Sequence, residues 1–176
     1  MSRSHNLFAA AVVLAAGTLL AGCSGAAAPT AAPSTAAAAC SPTSGVTVLV
    51  NYSDVLGEPN LTACAPLASG TESVADALKA VGVKTEGTAK YGDQVVCRVN
   101  GLPAADEPFT VPGHAEYTEA CKDMAPEYAY WALWVKSGTK AWDYAAEGVA
   151  TQQVKPGDSI GLVFTTGGKT PTPTAG

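Results

Sequence analysis

The sequence predicts an α+β domain in which a mixed sheet packs on one main helix and two disulfides staple the fold. Three observations support this class. Stretches of alternating apolar and polar residues lie on both sides of a single amphipathic stretch. Four of the five cysteines, an even number, lie beyond residue 39. The start of the chain has the pattern of an export signal, and residues 23 to 39 and 167 to 176 lack large apolar side chains, so residues 40 to 166 must form one core.

The chain starts like the signal peptide of a bacterial lipoprotein. Arg3 lies in a short polar start, and residues 7 to 21 form an apolar run too short for a transmembrane helix. Small residues precede Cys23, as the lipoprotein processing peptidase requires. We therefore predict a signal peptide over residues 1 to 22, lipidation of Cys23, and a location on the extracytoplasmic face of the cell membrane, held by the lipid anchor only. An ordinary secretory peptide that happens to end in Cys is the alternative.

The composition after the signal peptide excludes some partners. Removing Arg3 leaves 9 basic and 15 acidic residues, a net charge of −6. An acidic surface argues against nucleic acid as a partner and against electrostatic binding to anionic lipid.

Two segments are predicted to stay unfolded. Residues 23 to 39 begin with the lipidated Cys23 and continue as Ala, Pro, Ser, Thr and Gly, which is typical of a flexible tether. Residues 167 to 176, GGKTPTPTAG, have the same character, so we predict a disordered tail.

The cysteines after the tether predict disulfides, because an exported protein folds in an oxidising compartment. Three pairings are possible for Cys40, Cys64, Cys97 and Cys121. We favour Cys40 with Cys64 and Cys97 with Cys121, because each pair brackets a segment that returns on itself. A zinc site is the alternative, but no CxxC pair occurs, and we predict neither a metal nor a cofactor.

The first half of the domain predicts a hairpin and then a helix. A strand over 45 to 52, GVTVLVNY, is expected in the middle of a sheet, and 60 to 64 form a return strand. Ser73 and Asp76 are spaced as a helix cap, and Gly82 suits the helix end. The apolar positions between them recur at helical spacing: Val74, Ala77, Leu78 and Val81.

The second half predicts mainly strands. Residues 83 to 88 and 94 to 100 form a hairpin around Gly92-Asp93, and 102 to 127 form a long proline-containing loop. A strand follows over 128 to 136, YAYWALWVK. Shorter strands are predicted at 141 to 144, around Val154, and at 160 to 165.

Five segments of the domain resemble a known family. GVTVLV, SGTESVADALKAVG, VVCRVNG, YWALWV and KPGDSIGLVF, in this order, resemble the β-grasp domain related to the carboxy-terminal domain of transcobalamin. They resemble more closely a group of actinobacterial exported lipoproteins, of unknown function, that contain this domain. The resemblance implies a β-grasp-like fold and an extracytoplasmic role. Some members lie beside vitamin or cobalt uptake systems, and the transcobalamin domain covers one face of a corrinoid.

Aromatic residues concentrate in the last third of the domain, where seven of the chain's twelve lie between Tyr117 and Tyr144. Alternation in the strand places Tyr128, Tyr130, Ala132 and Trp134 on one face, and Trp131, Leu133 and Val135 on the other. Either both sets are structural, or one forms a platform for a flat or apolar ligand or for a partner protein. The residues predicted as ligand or partner contacts are Tyr130, Trp131, Trp134, Trp142 and Tyr144.

His114 completes the set of candidate contacts. It is the only histidine after the signal peptide and lies in a Pro- and Gly-containing loop with acidic neighbours. It is either simply solvated or an axial donor to a metal-containing ligand.

The sequence contains no catalytic constellation. No serine lies in a GxSxG motif, no phosphate-binding loop occurs, and the carboxylates lack obvious partners, so we predict that the protein is not an enzyme. We predict a non-enzymatic binding module that assists uptake of a small molecule such as a corrinoid or vitamin. The alternative is a protein interaction module that docks a transporter or envelope protein.

Overall fold

A computed structural model describes residues 38 to 168 and 170 to 175 of the chain. The predicted signal peptide, Cys23 and the tether up to residue 37 lie outside the described residues. Within the described ranges, no helix is long and apolar enough to cross a membrane.

The described chain is mixed α+β, with more strand than helix, which confirms the predicted class. The elements in chain order are β1 (Gly45–Asn51), α1 (Ser53–Leu56), β2 (Leu61–Pro66), β3 (Glu72–Ser73), α2 (Val74–Ala80), β4 (Thr85–Thr88), β5 (Gly92–Val99), β6 (Ala129–Lys136), β7 (Asp143–Tyr144), β8 (Gln153–Val154) and β9 (Ser159–Thr166).

A mixed five-stranded sheet forms the centre of the domain, with strand order β2-β1-β9-β6-β7. β1 and β9 pair in parallel, whereas the other neighbours pair antiparallel. β3 with β8, and β4 with β5, form two small antiparallel sheets. β1 and β9 are rich in Val, Leu and Ile and are buried over most of their length, as strands inside a sheet usually are. The predicted hairpins and the inner position of the first strand are therefore confirmed.

The α2 helix starts where its cap was predicted and ends just before the predicted glycine. The backbone N–H of Asp76 donates to Ser73 Oγ at 3.1 Å, which satisfies one free N–H of the first turn. The helix ends at Ala80, and Gly82 follows with a φ of 77°, a conformation that glycine adopts without strain. Its buried residues are Val74, Ala77 and Leu78.

The two faces of the five-stranded sheet have different neighbours. One face, here called the core face, belongs to the main hydrophobic cluster together with the buried residues of α2. The sheet residues on the core face include Val46, Val48, Val50, Trp131, Ile160, Leu162 and Phe164. The opposite face, here called the outer face, has a small cluster of its own around Trp134. Its residues on β1, β6 and β9 include Asn51, Tyr130, Ala132, Trp134, Gly161, Val163 and Thr165, which alternate in register with the core-face residues.

Both favoured disulfides are present. Cys40 is bonded to Cys64, and Cys97 to Cys121, each pair 24 residues apart in sequence. The second disulfide ties the long loop to β5.

Arg98 holds the same loop from the inside. Its side chain is buried, and its guanidinium donates to the backbone oxygens of Pro103 and Glu119 and to the Glu86 carboxylate. The Arg98 guanidinium thus joins three segments of the chain, which explains how the loop over 102 to 127 is ordered although it has little regular secondary structure.

The end of the chain differs from the prediction. Residues 170 to 175 lie against the outer face, with Pro173 buried and Thr174 hydrogen-bonded to Asn51. Composition alone indicates whether a segment can make a core of its own, but not whether it can dock on a preformed face. Proline lowers the entropy lost on docking because its φ is already fixed.

Candidate functional site

A pocket of about 670 Å³ opens beside β6. The sheet residues that line it include Trp131 and Leu133 of β6 and Leu162 of β9, all on the core face. Its walls come from the start of β5, from 124 to 127, and from 144 to 149. The volume lies within the range of about 300 to 1,000 Å³ that is usual for small-molecule sites.

Two large hydrophobic side chains that line this pocket are exposed to solvent. Three large hydrophobic side chains of the described chain are exposed, Tyr91, Met124 and Tyr144, and two of them line this pocket. Met124 is 65% exposed and Tyr144 is 51% exposed. Apolar side chains gathered at the mouth of a concavity are a common feature of ligand sites.

The pocket lies beside the part of β6 that β7 leaves unpaired. β7 pairs only with Trp134 and Val135, and the last bond to this edge runs from the N–H of Ala145 to the oxygen of Leu133 at 3.0 Å. Backbone groups alternate along a strand, so the N–H and C=O of Trp131 point to the same side as the oxygen of Leu133. A ligand in the pocket therefore meets a strand edge as well as side chains.

The wall opposite this edge is held firmly. A Cβ on Gly148 would lie 2.4 Å from Gln94 Cα, so only glycine allows the wall to approach β5 this closely. The next residue, Val149, is 1% exposed, and its oxygen accepts a hydrogen bond from Ala75 of α2 at 2.8 Å. These contacts fix the position of this wall against β5 and α2.

The charge of the pocket is negative. Glu127 and Glu147 line it and are exposed, and no Lys, Arg or His occurs among its described lining residues. Aromatic faces also attract cations. The pocket is therefore suited to an apolar or aromatic body that carries a positive charge.

Of the predicted contact residues, Trp131 is part of the core. It is 7% exposed, packs edge-to-face on Tyr52 and Phe164, and donates from Nε1 to the oxygen of Leu102 at 3.0 Å. A buried indole with its N–H paired stabilises the fold, whatever part of its edge reaches the pocket.

The other four aromatic residues gather on and around the outer face. Trp134 stacks on Tyr144 with ring centroids 4.1 Å apart, and Tyr130 and Trp142 pack around Trp134. Lys136 Nζ lies 5.9 Å from the Trp142 ring. Tyr144 belongs to this cluster and to the pocket rim, and Tyr130 also lines the pocket.

His114 lies elsewhere. Its ring stacks on Tyr128 with centroids 3.9 Å apart, and it is not among the residues that line the pocket. The structure therefore does not bring the predicted axial donor to the predicted aromatic platform.

The ionisable groups with shifted pKa values have structural explanations. Burial, and then the hydrogen bond to Glu119, raise the pKa of Tyr117. Burial also raises the pKa of Tyr52, partly offset by the hydrogen bond from Asn100. Burial likewise raises the pKa of Glu72.

One cluster has the residue types of a metal site. The ligand atoms of Glu86, Cys97 and Cys121 lie within 4.8 Å of one another. Both sulfurs are joined in the second disulfide, so they do not offer thiolates.

Sequence reasoning missed the wall of the pocket. Residues 145 to 149 carry no catalytic or ligand-binding motif, and their role depends on a close approach to β5 that joins positions 54 residues apart. Gly148, in a segment with little other turn chemistry, was the one usable signal. Met124 was predicted to lie in a long loop, without any role.

Comparisons of the chain with protein-family models, with curated proteins and with solved structures found no match. The resemblance to the transcobalamin-related domain therefore stays a prediction.

Proposed function

We propose that this protein is a membrane-anchored, extracytoplasmic lipoprotein whose domain binds a small molecule without chemically transforming it and assists its uptake. The pocket beside β6 is the observation that carries this proposal. It is concave, largely apolar, and rimmed by exposed Met124 and Tyr144. The lipid anchor, the relation to β-grasp domains and the corrinoid or vitamin class of ligand belong to the same proposal.

The shape and charge of the pocket narrow the ligand. A volume of about 670 Å³ suits a compact organic molecule better than a complete corrinoid, which would have to lie partly outside. Glu127 and Glu147 favour a cationic ligand, because no described lining residue carries a balancing positive charge. We therefore expect amine-bearing, flat or apolar vitamins or cofactor precursors to bind better than anionic ones.

The test is a thermal-shift and tryptophan-fluorescence screen of the chain from residue 24 to 176. The panel contains corrinoids, haem, cationic and anionic vitamins, and aromatic amines. Tyr144→Ala removes a rim residue, and Tyr91→Ala is the matched control, because Tyr91 is also exposed, at 40%, and does not line the pocket.

We expect a saturable response that Tyr144→Ala weakens about tenfold or more, the size of effect typical of a lost aromatic contact at a binding site. Tyr91→Ala should leave it unchanged. Glu147→Gln should weaken the binding of cationic ligands and leave the binding of neutral and anionic ligands unchanged. A ligand that binds equally well to both tyrosine variants, or no response across the panel, would contradict this assignment of the site.

A protein interaction module is the second candidate. The observation that favours it is the outer face, where residues 170 to 175 of the chain itself are hydrogen-bonded to Tyr130 and Asn51.

A further inference from the structure

The last described residues bind the outer face as a peptide ligand would. The side-chain amide of Asn51 donates from Nδ2 to the oxygen of Thr174 and accepts at Oδ1 from the N–H of Thr174, both at 2.9 Å. One side chain thus pairs with both backbone groups of one residue. At the other end, the hydroxyls of Tyr130 and Thr170 lie 2.7 Å apart. The Asn51 contacts hold the backbone of residue 174, so they do not depend on which side chain residue 174 carries.

A proline ring lies between these two anchors. Pro173 is buried, and a Cβ on Gly161 would lie 2.3 Å from its Cγ. Gly161 has no positive φ that would require glycine, and Pro173 supplies the three atoms nearest to such a Cβ. A glycine inside a strand marks close approach of another group, which is here the proline ring beside Trp134.

The tail satisfies the outer face incompletely. Trp134 Nε1 and Thr165 Oγ1 are buried and lack a hydrogen-bond partner within the described part of the chain. Trp134 is 7% exposed and Thr165 is 0% exposed. Buried polar groups are normally paired, so an unpaired indole donor under a bound segment indicates that another occupant could bind better.

The groove continues beyond the tail. A cleft of about 710 Å³ runs between the tail and residues 51 to 60, and its lining includes Pro171 and Thr172 on one side. The opposite side includes the carboxylates of Asp54 and Glu58 and the hydroxyl of Ser53, which also has no partner among residues 38 to 168 and 170 to 175. A peptide longer than the tail, with a basic residue, would have room and a complementary charge here.

We propose that the outer face is a binding groove for an extended, proline-containing peptide segment of a partner protein, and that residues 170 to 175 occupy it as an intramolecular competitor. Aromatic residues on one side and a rigid, extended proline segment on the other are the elements of polyproline recognition. Gly167 and Gly168, with φ of 62° and 70°, join the tail to β9 and allow it to leave the groove while the sheet stays intact. This site shares Tyr130 with the small-molecule pocket of the proposed function, but its contacts at Asn51 and Gly161 lie outside that pocket.

The test measures binding of a labelled peptide of residues 167 to 176 by fluorescence polarisation. The receptors are the chain from residue 24 to 176 and the same chain ending at residue 168. We expect the shortened chain to bind the peptide at least about tenfold more tightly than the intact one, because an attached tail competes at a high effective concentration. A Thr172→Lys peptide should bind more tightly than a Thr172→Glu peptide, because the cleft is acidic.

Gly161→Ala in the shortened chain is the decisive variant, because its new methyl group would overlap the ring of Pro173. Alanine is accepted in β-strands, so we expect the sheet itself to fold as before. We expect the variant to weaken peptide binding about tenfold or more with an unchanged circular dichroism spectrum. Ser159→Ala, at the start of the same strand, is the matched control. If the shortened chain does not fold, Pro173→Glu in the intact chain displaces the tail and serves as the receptor.

Three results would overturn the proposal. The first is no peptide binding by the shortened chain and by the Pro173→Glu chain, although both are folded. The second is equal binding by the Gly161→Ala variant. The third is a concentration-dependent dimer that disappears when the tail is removed, because a second copy of this chain would then be the occupant.

Discussion

The core face and the outer face of the same five-stranded sheet are covered in different ways. The core face belongs to the same buried hydrophobic cluster as Val74, Ala77 and Leu78 of α2, and its indole, Trp131, pairs with the oxygen of Leu102. The outer face is covered in part by residues 170 to 175, and its indole, Trp134, has no hydrogen-bond partner within the described residues. The strands β1, β6 and β9 supply both faces, so the difference lies in the cover and not in the sheet.

This comparison suggests which face serves stability and which can serve binding. A cover that satisfies every polar group is costly to remove, whereas one that leaves donors unpaired can be exchanged for a better one. Residues that face α2 are therefore expected to control unfolding, and residues under the tail are expected to matter less for stability than their burial suggests.

The largest expected effect compares the two disulfides. Both close loops of the same length, so the chain-entropy contribution is equal, about 3.5 kcal/mol for each. Cys97 and Cys121 are also buried, whereas Cys40 and Cys64 are half-buried. Replacing both members of the inner pair with serine should therefore reduce the free energy of unfolding by more than the same change in the outer pair.

Urea unfolding of the two double variants under non-oxidising conditions measures the difference. Equal losses would mean that the burial of the inner disulfide contributes nothing beyond loop closure.

The next effect compares the two indoles, which are equally buried at 7% exposure. Trp131→Phe leaves the oxygen of Leu102 without its donor, and we expect a loss of about 1 to 3 kcal/mol beyond the lost ring volume. Trp134→Phe removes a donor that has no partner in the described chain. We therefore expect it to reduce the free energy of unfolding by about 1 to 3 kcal/mol less than Trp131→Phe does. Thermal and urea unfolding give both values, and a larger loss for Trp134→Phe would contradict the contrast between the faces.

The smallest effect compares two buried threonine hydroxyls, one without a hydrogen-bond partner in the described ranges and one with a partner. Thr165→Val removes a buried hydroxyl without a partner in the described ranges, and we expect an unchanged or raised free energy of unfolding, by up to about 1 kcal/mol. Thr88→Val is the control, because Thr88 is equally buried and its Oγ1 accepts from the N–H of Tyr91 at 3.1 Å. This control should lose about 1 kcal/mol. A clear loss for Thr165→Val would indicate a partner bound at this hydroxyl.

Local patterns predicted much of this fold. The alternation of Val46, Val48 and Val50, the Ser73 cap and the bracketing cysteines each depend on neighbours in sequence, and each is confirmed. Alternation in the aromatic strand also placed Trp131 and Trp134 on opposite faces, as the structure has them.

The missing parts depend on contacts that no local pattern encodes. The pocket wall depends on Gly148 meeting Gln94, and the tail depends on Thr174 meeting Asn51, which is 123 residues away. A composition rule describes whether a segment can fold by itself, and so it placed the tail in solvent. The sequence pattern identified the aromatic residues that line the pocket. It could not indicate which parts of the chain would pack over each of them.

The position of β9 also governs the order of folding. This strand is the last in the described chain, yet it pairs with both β1 and β6 at the centre of the sheet. The hairpin of β1 and β2, which ends at Pro66, has no partner on its inner edge until β9, which starts at Ser159, has been synthesised. Long-range pairing of this kind makes folding slow and cooperative. The domain must therefore complete its sheet after its final strand is released, and a nascent chain that stops before residue 159 would have no central strand to assemble on.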